Sequence, residues 1–197
     1  MFCQPTRICF DLPSWLSDFT ADGVHPGASE ERMRFVLGAA HRNVAERTGG
    51  PFAAAVFERD TGKLVSLGVN LVTTQDCSIL HAEIVAIALA QRVLGSWDLG
   101  ASGLAAHELV TSTEPCAMCL GALPWSGIRR VVCGARDADA RTAGFEEGAK
   151  VDDWQGALAI RGIAVITDVL REEAAALLAD YTRDGGLLYN ANARAPQ

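Results

Sequence analysis

Four side chains in two short segments have the types and spacing for metal-assisted hydrolysis. His81 and Glu83 stand in His81-Ala82-Glu83, and Cys116 and Cys119 in Pro115-Cys116-Ala117-Met118-Cys119. One imidazole and two thiolates make three ligands for a zinc ion. Structural zinc sites are closed by four protein ligands, whereas catalytic ones keep a position open for water. Three ligands therefore predict a catalytic centre with Zn2+ as its cofactor. Zinc brings the pKa of a bound water down to about 7. Glu83, two residues past the histidine, is the carboxylate to receive that water's proton, a role worth roughly a hundred- to ten-thousand-fold in rate. A C-x-x-C alone also suits a redox pair, and a lone His-x-Glu is commonplace on a surface. The two together point to metal.

Helix starts must position these groups. Cys116 and Cys119 are three apart and share one face of a helix. Proline is tolerated in the first turn, so a short helix is expected from Cys116 to Leu123, its N-terminus favouring thiolates. Residues at i and i+2 on a regular helix point apart. His81 and Glu83 can therefore meet one water only if His81 lies at the start of its helix, expected from about His81 to Leu94 and stopped by Gly95. Residues 75–78 read as the loop before it.

The remaining chain supplies the frame. Ser29 is expected to cap a helix carrying Met33, Val36, Leu37, Ala40 and Val44 at helical spacing, ended by Thr48-Gly49-Gly50-Pro51. Phe52 to Arg59 and Lys63 to Val69 form a hairpin about Asp60-Thr61-Gly62. His107 to Thr113 is a buried strand that delivers the chain to Pro115. A strand from Arg129 to Ala135, a polar loop from Arg136 to Asp153, a strand from Gly162 to Ile166 and a helix from Arg171 to Tyr181 complete the pass. Strands alternating with helices imply an α/β sandwich with a mixed sheet.

With 197 residues, 49% of them hydrophobic and 21% charged, the chain can bury a sizeable core. A net charge of −7, with no basic run longer than Arg129-Arg130, argues against nucleic acid as a partner. The six cysteines do not resemble a disulfide framework, and no basic segment followed by a long apolar run opens the chain. A cytoplasmic protein is expected. The longest apolar stretch, Ile84 to Ala90, is too short to span a membrane. Residues 1–28 read as an irregular extension that packs on the body through Phe2, Phe10, Trp15, Leu16 and Phe19. Residues 29–182 read as the functional domain, and 183–197 as a tail that can close the site.

His-x-Glu followed by Pro-Cys-x-x-Cys is the signature of zinc nucleobase deaminases, and the chain resembles the cytidine-deaminase-like superfamily over about Ser29 to Tyr189. Gly50-Pro51-Phe52-Ala53-Ala54-Ala55-Val56, Asn70, Trp125-Ser126-Gly127, Gly144-Phe145-Glu146-Glu147-Gly148 and Tyr189-Asn190 resemble bacterial guanine deaminases of that fold. The resemblance implies a three-layer α/β/α sandwich with a mixed five-stranded sheet. It implies His81, Cys116 and Cys119 on zinc and Glu83 as proton shuttle. Asn70 would bind the base, Phe52 and Trp125 would line its pocket, Glu147 would face its amino edge, and Tyr189 would close over it. It also implies a homodimer acting on a small-molecule nucleobase, guanine to xanthine plus ammonia.

The residue chemistry favours guanine independently. Its N1–H and exocyclic amine are adjacent donors that suit a carboxylate, whereas cytosine and adenine offer a ring-nitrogen acceptor beside the amine. The alternatives are ammeline or a related triazine, a nucleoside, tRNA adenosine, or a non-catalytic zinc-binding protein. Glu147 reads equally as a solvated charge in an acidic loop, Phe52 and Trp125 as core aromatics, and Asn70 as a turn residue.

Overall fold

The computed structural model describes residues 5–21 and 25–190. Phe2 and Cys3, and the tail beyond Asn190, lie outside them. The elements in order are α1 (Trp15–Phe19), α2 (Ser29–Ala45), β1 (Ala53–Glu58), β2 (Leu64–Val69), α3 (Ala82–Leu94), β3 (His107–Thr113), α4 (Ala117–Ser126), β4 (Arg130–Ala135), α5 (Asp137–Thr142), α6 (Trp154–Ala159), β5 (Ala164–Ile166) and α7 (Arg171–Arg183).

The strands form one mixed sheet in the order β2-β1-β3-β4-β5. The β1 strand is antiparallel to both β2 and β3. From β3 onward the pairing is parallel, β3 with β4 and β4 with β5. Parallel neighbours need a crossover, and α4 supplies the first while α5 and α6 supply the second. Side chains alternate across the sheet: Ala53, Ala55 and Phe57 of β1 enter one apolar cluster with α2 and α7. Ala54 and Val56 enter the other with α3, α4 and α6. Helices on both faces make this the expected three-layer sandwich with five strands.

Glu108 on β3 is fully buried between Arg32 of α2 and Arg130 of β4. Arg32 also donates to the carbonyls of Pro26, Gly27 and Arg59. A buried carboxylate is tolerated only with such pairing, and this one pins α2 to the sheet. Among the described residues no helix is long and apolar enough to cross a membrane.

Several expectations change in detail. The supposedly irregular extension contains α1, whose Trp15 and Leu16 are buried, while Phe10 is 41% exposed and does not pack as expected. Ser29 is the first helical residue and not the cap. Ala28 holds the cap position, and the Glu31 carboxylate reaches back to the Gly27 N–H at 2.8 Å. The expected loop after β4 contains α5, which begins where Asp139 accepts from the Arg136 N–H. The α4 helix continues through Pro124 to Ser126 instead of stopping at Leu123.

Candidate active site

Two metal-ligand candidates stand at helix starts. His81 is the N-cap of α3, with φ −67° and ψ 153°. Cys116 is the N-cap of α4, with φ −63° and ψ 172°, so Pro115 precedes the helix and does not enter it. The extended backbone at His81 resolves the i, i+2 divergence, because His81 projects from outside the helical array while Glu83 sits in the first turn. Close approach of α3 to the sheet requires Gly68. A Cβ there would lie 2.4 Å from the Ala82 carbonyl oxygen and from the Ala86 nitrogen.

The donor atoms of His81, Cys116 and Cys119 all lie within 4.8 Å of one another, the one such group of three found among the described residues. Cys116 Sγ is 3.5 Å from His81 Nδ1. Ligands of a tetrahedral zinc with S and N bonds of ordinary length stand about 3.5–3.8 Å apart, so the donor set fits that ion in both type and spacing. The electrostatics agree. A hydrogen bond from Cys119, aided by His81, brings the Cys116 thiol down to about 4 against the opposition of burial. Cys119 is raised in turn by its bond to Cys116 and by burial. Burial opposes the charge on His81, yet the Cys116 bond and the Glu83 charge hold its pKa above the ordinary value. Cys116 is thus poised as a thiolate, the form in which a divalent cation takes a cysteine ligand.

Glu83 is buried at the cavity wall. Burial, then the Cys116 charge, pushes its carboxyl up to about 6. Glu147 also faces the cavity and is 6% exposed. Burial first, with the negative charges of Cys116 and Glu83 added, raises it to about 8. The solvated-loop reading of Glu147 is therefore a poor description of its surroundings.

The cavity has a volume of about 210 Å³, and its wall includes Phe52, His81, Glu83, Glu114, Cys116, Phe145, Glu147 and Tyr189. Phe52 meets Phe145 edge-to-face at 4.8 Å, and Phe145 lies 5.8 Å from the Tyr189 ring. Tyr189 packs across His81 at 6.1 Å. Asn70 is buried and donates through Nδ2 to the Tyr189 hydroxyl at 2.7 Å, so Tyr189 engages the amide expected to bind a base. Two devices hold Asn70 beneath that ring. The Asn43 side chain donates to the carbonyls of Gly50 and Asn70 at 2.9 and 3.0 Å. Gly49 passes so close that a Cβ would lie 1.8 Å from the Asn70 oxygen.

Trp125 is a correction. It is 79% exposed and does not line the cavity. Six residues past Cys119 on the same helix, it points roughly 120° round the axis from that ligand. Sequence reasoning gave no site role to Phe145, Glu114 or Asn190, although Phe145 and Asn190 lie in segments that carry the family resemblance. Phe145 lay within the Gly-Phe-Glu-Glu-Gly segment, and an apolar ring directly before two acids was the available signal. Asn190 accepts from the Glu146 N–H at 3.0 Å and donates to the Gly144 carbonyl at 2.8 Å, strapping that loop. No spacing pattern announced it.

An α/β sandwich with a His/Cys/Cys donor set at two helix starts, and two buried carboxyls around one small cavity, is an arrangement suited to a divalent metal. The chain belongs to the family described as the cytidine and deoxycytidylate deaminase zinc-binding region, whose model matches residues 27–135. Among solved structures it is similar to a guanine deaminase from Nitrosomonas europaea, at 46% identity and TM-score 0.88, covering 92% of this chain and 100% of that one. A structure solved in complex with 2,6-diaminopurine is 49% identical with TM-score 0.87, covering 92% and 95% of the two chains. A curated guanine deaminase from Bacillus subtilis is 40% identical over 99 residues, which are 50% of this chain and 59% of that protein. The matched region thus spans less than two thirds of that relative's length.

Proposed function

We propose that this protein deaminates a free nucleobase hydrolytically, converting guanine to xanthine and ammonia. The observation that carries the reading is Glu147, a second buried carboxyl on the cavity wall with Glu83 and the His/Cys/Cys group. The similarity to guanine deaminases supports the same substrate.

His81, Cys116 and Cys119 would hold zinc, which supplies an acidified water at neutral pH. Glu83 would take one proton of the attacking water and deliver it to a ring nitrogen, then move the remaining hydroxyl proton to the amine, so that the C–N bond breaks with ammonia leaving and the C=O of xanthine forming. A carboxyl near 6 is matched to moving a proton in both directions at neutral pH. Glu147 accepts from N1–H and the amine of guanine. These donors favour its ionised form and offset the burial that raises it. Phe52 and Phe145 exclude water around the ring, and Asn70 contacts the base when Tyr189 shifts. The same reading takes residues 29–182 as the catalytic domain, 183–197 as its closing tail, and a cytoplasmic homodimer as the assembly, with Trp125 on an exposed face.

The test is ammonia release from guanine, guanosine, adenine, cytosine and ammeline, with zinc content measured on the same preparation. Guanine turnover with about one zinc per chain is expected. Turnover of a nucleoside, with guanine untouched, would overturn the substrate assignment.

A further inference from the structure

Glu147 sits in a loop without regular structure, and among the described residues no side chain donates to its carboxylate. Its position is therefore set by what holds the loop backbone. One tie is the Ala117 N–H, which donates to the Glu147 carbonyl at 2.9 Å. Arg141 supplies another, donating to the Gly148 carbonyl at 2.9 Å. Asn190 straps the loop at Glu146 and Gly144, and a further tie comes from Lys150, three residues past Glu147 and 8% exposed.

The Lys150 ammonium has three N–H donors and three acceptors around it. It donates to Glu114 Oε2 at 3.3 Å and to the Pro115 carbonyl at 3.3 Å, and it is ion-paired with Asp137 Oδ1 at 3.2 Å. It also lies 5.0 Å from the centroid of the Trp154 ring. Glu114 and Pro115 immediately precede Cys116. One buried cation therefore bridges the loop bearing the acid to the segment bearing a metal-ligand candidate. Arg141 pairs with Asp137 at 2.6 Å and with the more exposed Glu146 at 3.6 Å, so Lys150 is the cation that faces Glu114.

We propose that Lys150 is a positioning residue that fixes Glu147 at the cavity by fastening its loop to the Glu114–Cys116 segment. It touches neither metal position nor cavity, and it acts through Glu147. The inference rests on the proposed role of Glu147 in binding guanine. A catalytic carboxylate displaced by an ångström loses on the order of a hundredfold, so a slackened loop costs rate without costing metal.

The experiment is a double-mutant cycle on the zinc-loaded protein. Lys150→Met should lower guanine kcat by about tenfold or more while zinc stays near one per chain. In a Glu147→Gln background the same change should alter kcat by less than about twofold, because the group it positions is already disabled. Lys150→Arg, which keeps a cation over Trp154, should recover most of the rate. An equal loss in both backgrounds, an unchanged rate in the native one, or loss of zinc would overturn the proposal. Failure of the Glu147 reading looks different: Glu147→Gln alone would then turn over guanine normally. Should Lys150→Met leave Glu114 and Asp137 unpaired and unfold the chain, the charge-balanced pair Lys150→Gln with Asp137→Asn replaces it in the cycle. A chain that fails to fold with that pair too assigns Lys150 to the core and also overturns the proposal.

Discussion

Glu83 and Glu147 face the same cavity, and burial raises them to about 6 and about 8. Different duties follow. Glu83→Gln keeps the shape and the metal ligands but removes the proton acceptor, so the variant should retain zinc and lose turnover by at least about a thousandfold. Ammonia assay and metal analysis on one sample check this, and a normal rate would remove Glu83 from the mechanism. Glu147→Gln should lower guanine kcat/KM by about a hundredfold through loss of a charged hydrogen bond. Its titration also marks stability. The folded pKa lies above the unfolded value of 4.5, so the folded chain keeps a proton that the unfolded chain releases between about 4.5 and about 8. Ionisation in that window costs stability, which falls as pH rises through it. On metal-free protein, native stability should therefore drop relative to Glu147→Gln between pH 5 and pH 8. Denaturant midpoints at the two pH values give the answer, and parallel curves would contradict the burial of this carboxyl.

At the scale of elements, the site depends on how closely α3 and α4 approach the sheet. The α3 helix lies against β2 through the Gly68 gap, and Ser66 Oγ donates to the Ala86 carbonyl at 2.7 Å beside it. A Cβ at Gly68 meets backbone that cannot rotate away, so α3 must shift and carry His81 with it. Gly68→Ala should cost about 1–3 kcal/mol and weaken zinc retention, read by thermal melting and by competition with a chelator. Unaltered metal affinity would mean that α3 can move without dragging its N-cap. The β3 strand delivers Glu114 and Cys116 from its carboxyl end, the edge at which open α/β sheets place ligands. These helix starts were legible in advance because caps and spacing are local. The α5 helix was not, since its start is set by Asp139 bonding back to Arg136 within a stretch that looks uniformly polar.

For the whole molecule, the donor set ties together α3 and α4, which belong to segments 35 residues apart. A zinc ion bound there stabilises the folded chain by mass action, about 4 kcal/mol at a thousandfold excess over Kd. Chelation should then lower the melting temperature by on the order of 10 °C for a chain of this size, with recovery on adding zinc back. An unmoved transition would show that the fold does not bind the ion tightly. The extension belongs to this scale as well, because Trp15 Nε1 donates to Thr48 at 3.0 Å and Thr48 to the Asn43 side chain at 2.7 Å. That path connects α1 to the residue that holds Asn70.

The sequence by itself determined the candidate donor triad, its neighbouring carboxylate, the five strands and the hairpin, since each is written in spacings of a few residues. Tertiary structure decided which distant groups share the cavity. It left Trp125 exposed, brought Phe145 and Asn190 to the cavity wall, and buried Glu147 within range of the Cys116 charge. A local pattern fixes which face of a helix or strand a residue occupies. Only packing fixes what that face meets, and burial beside a particular charge is what sets a carboxyl's chemistry.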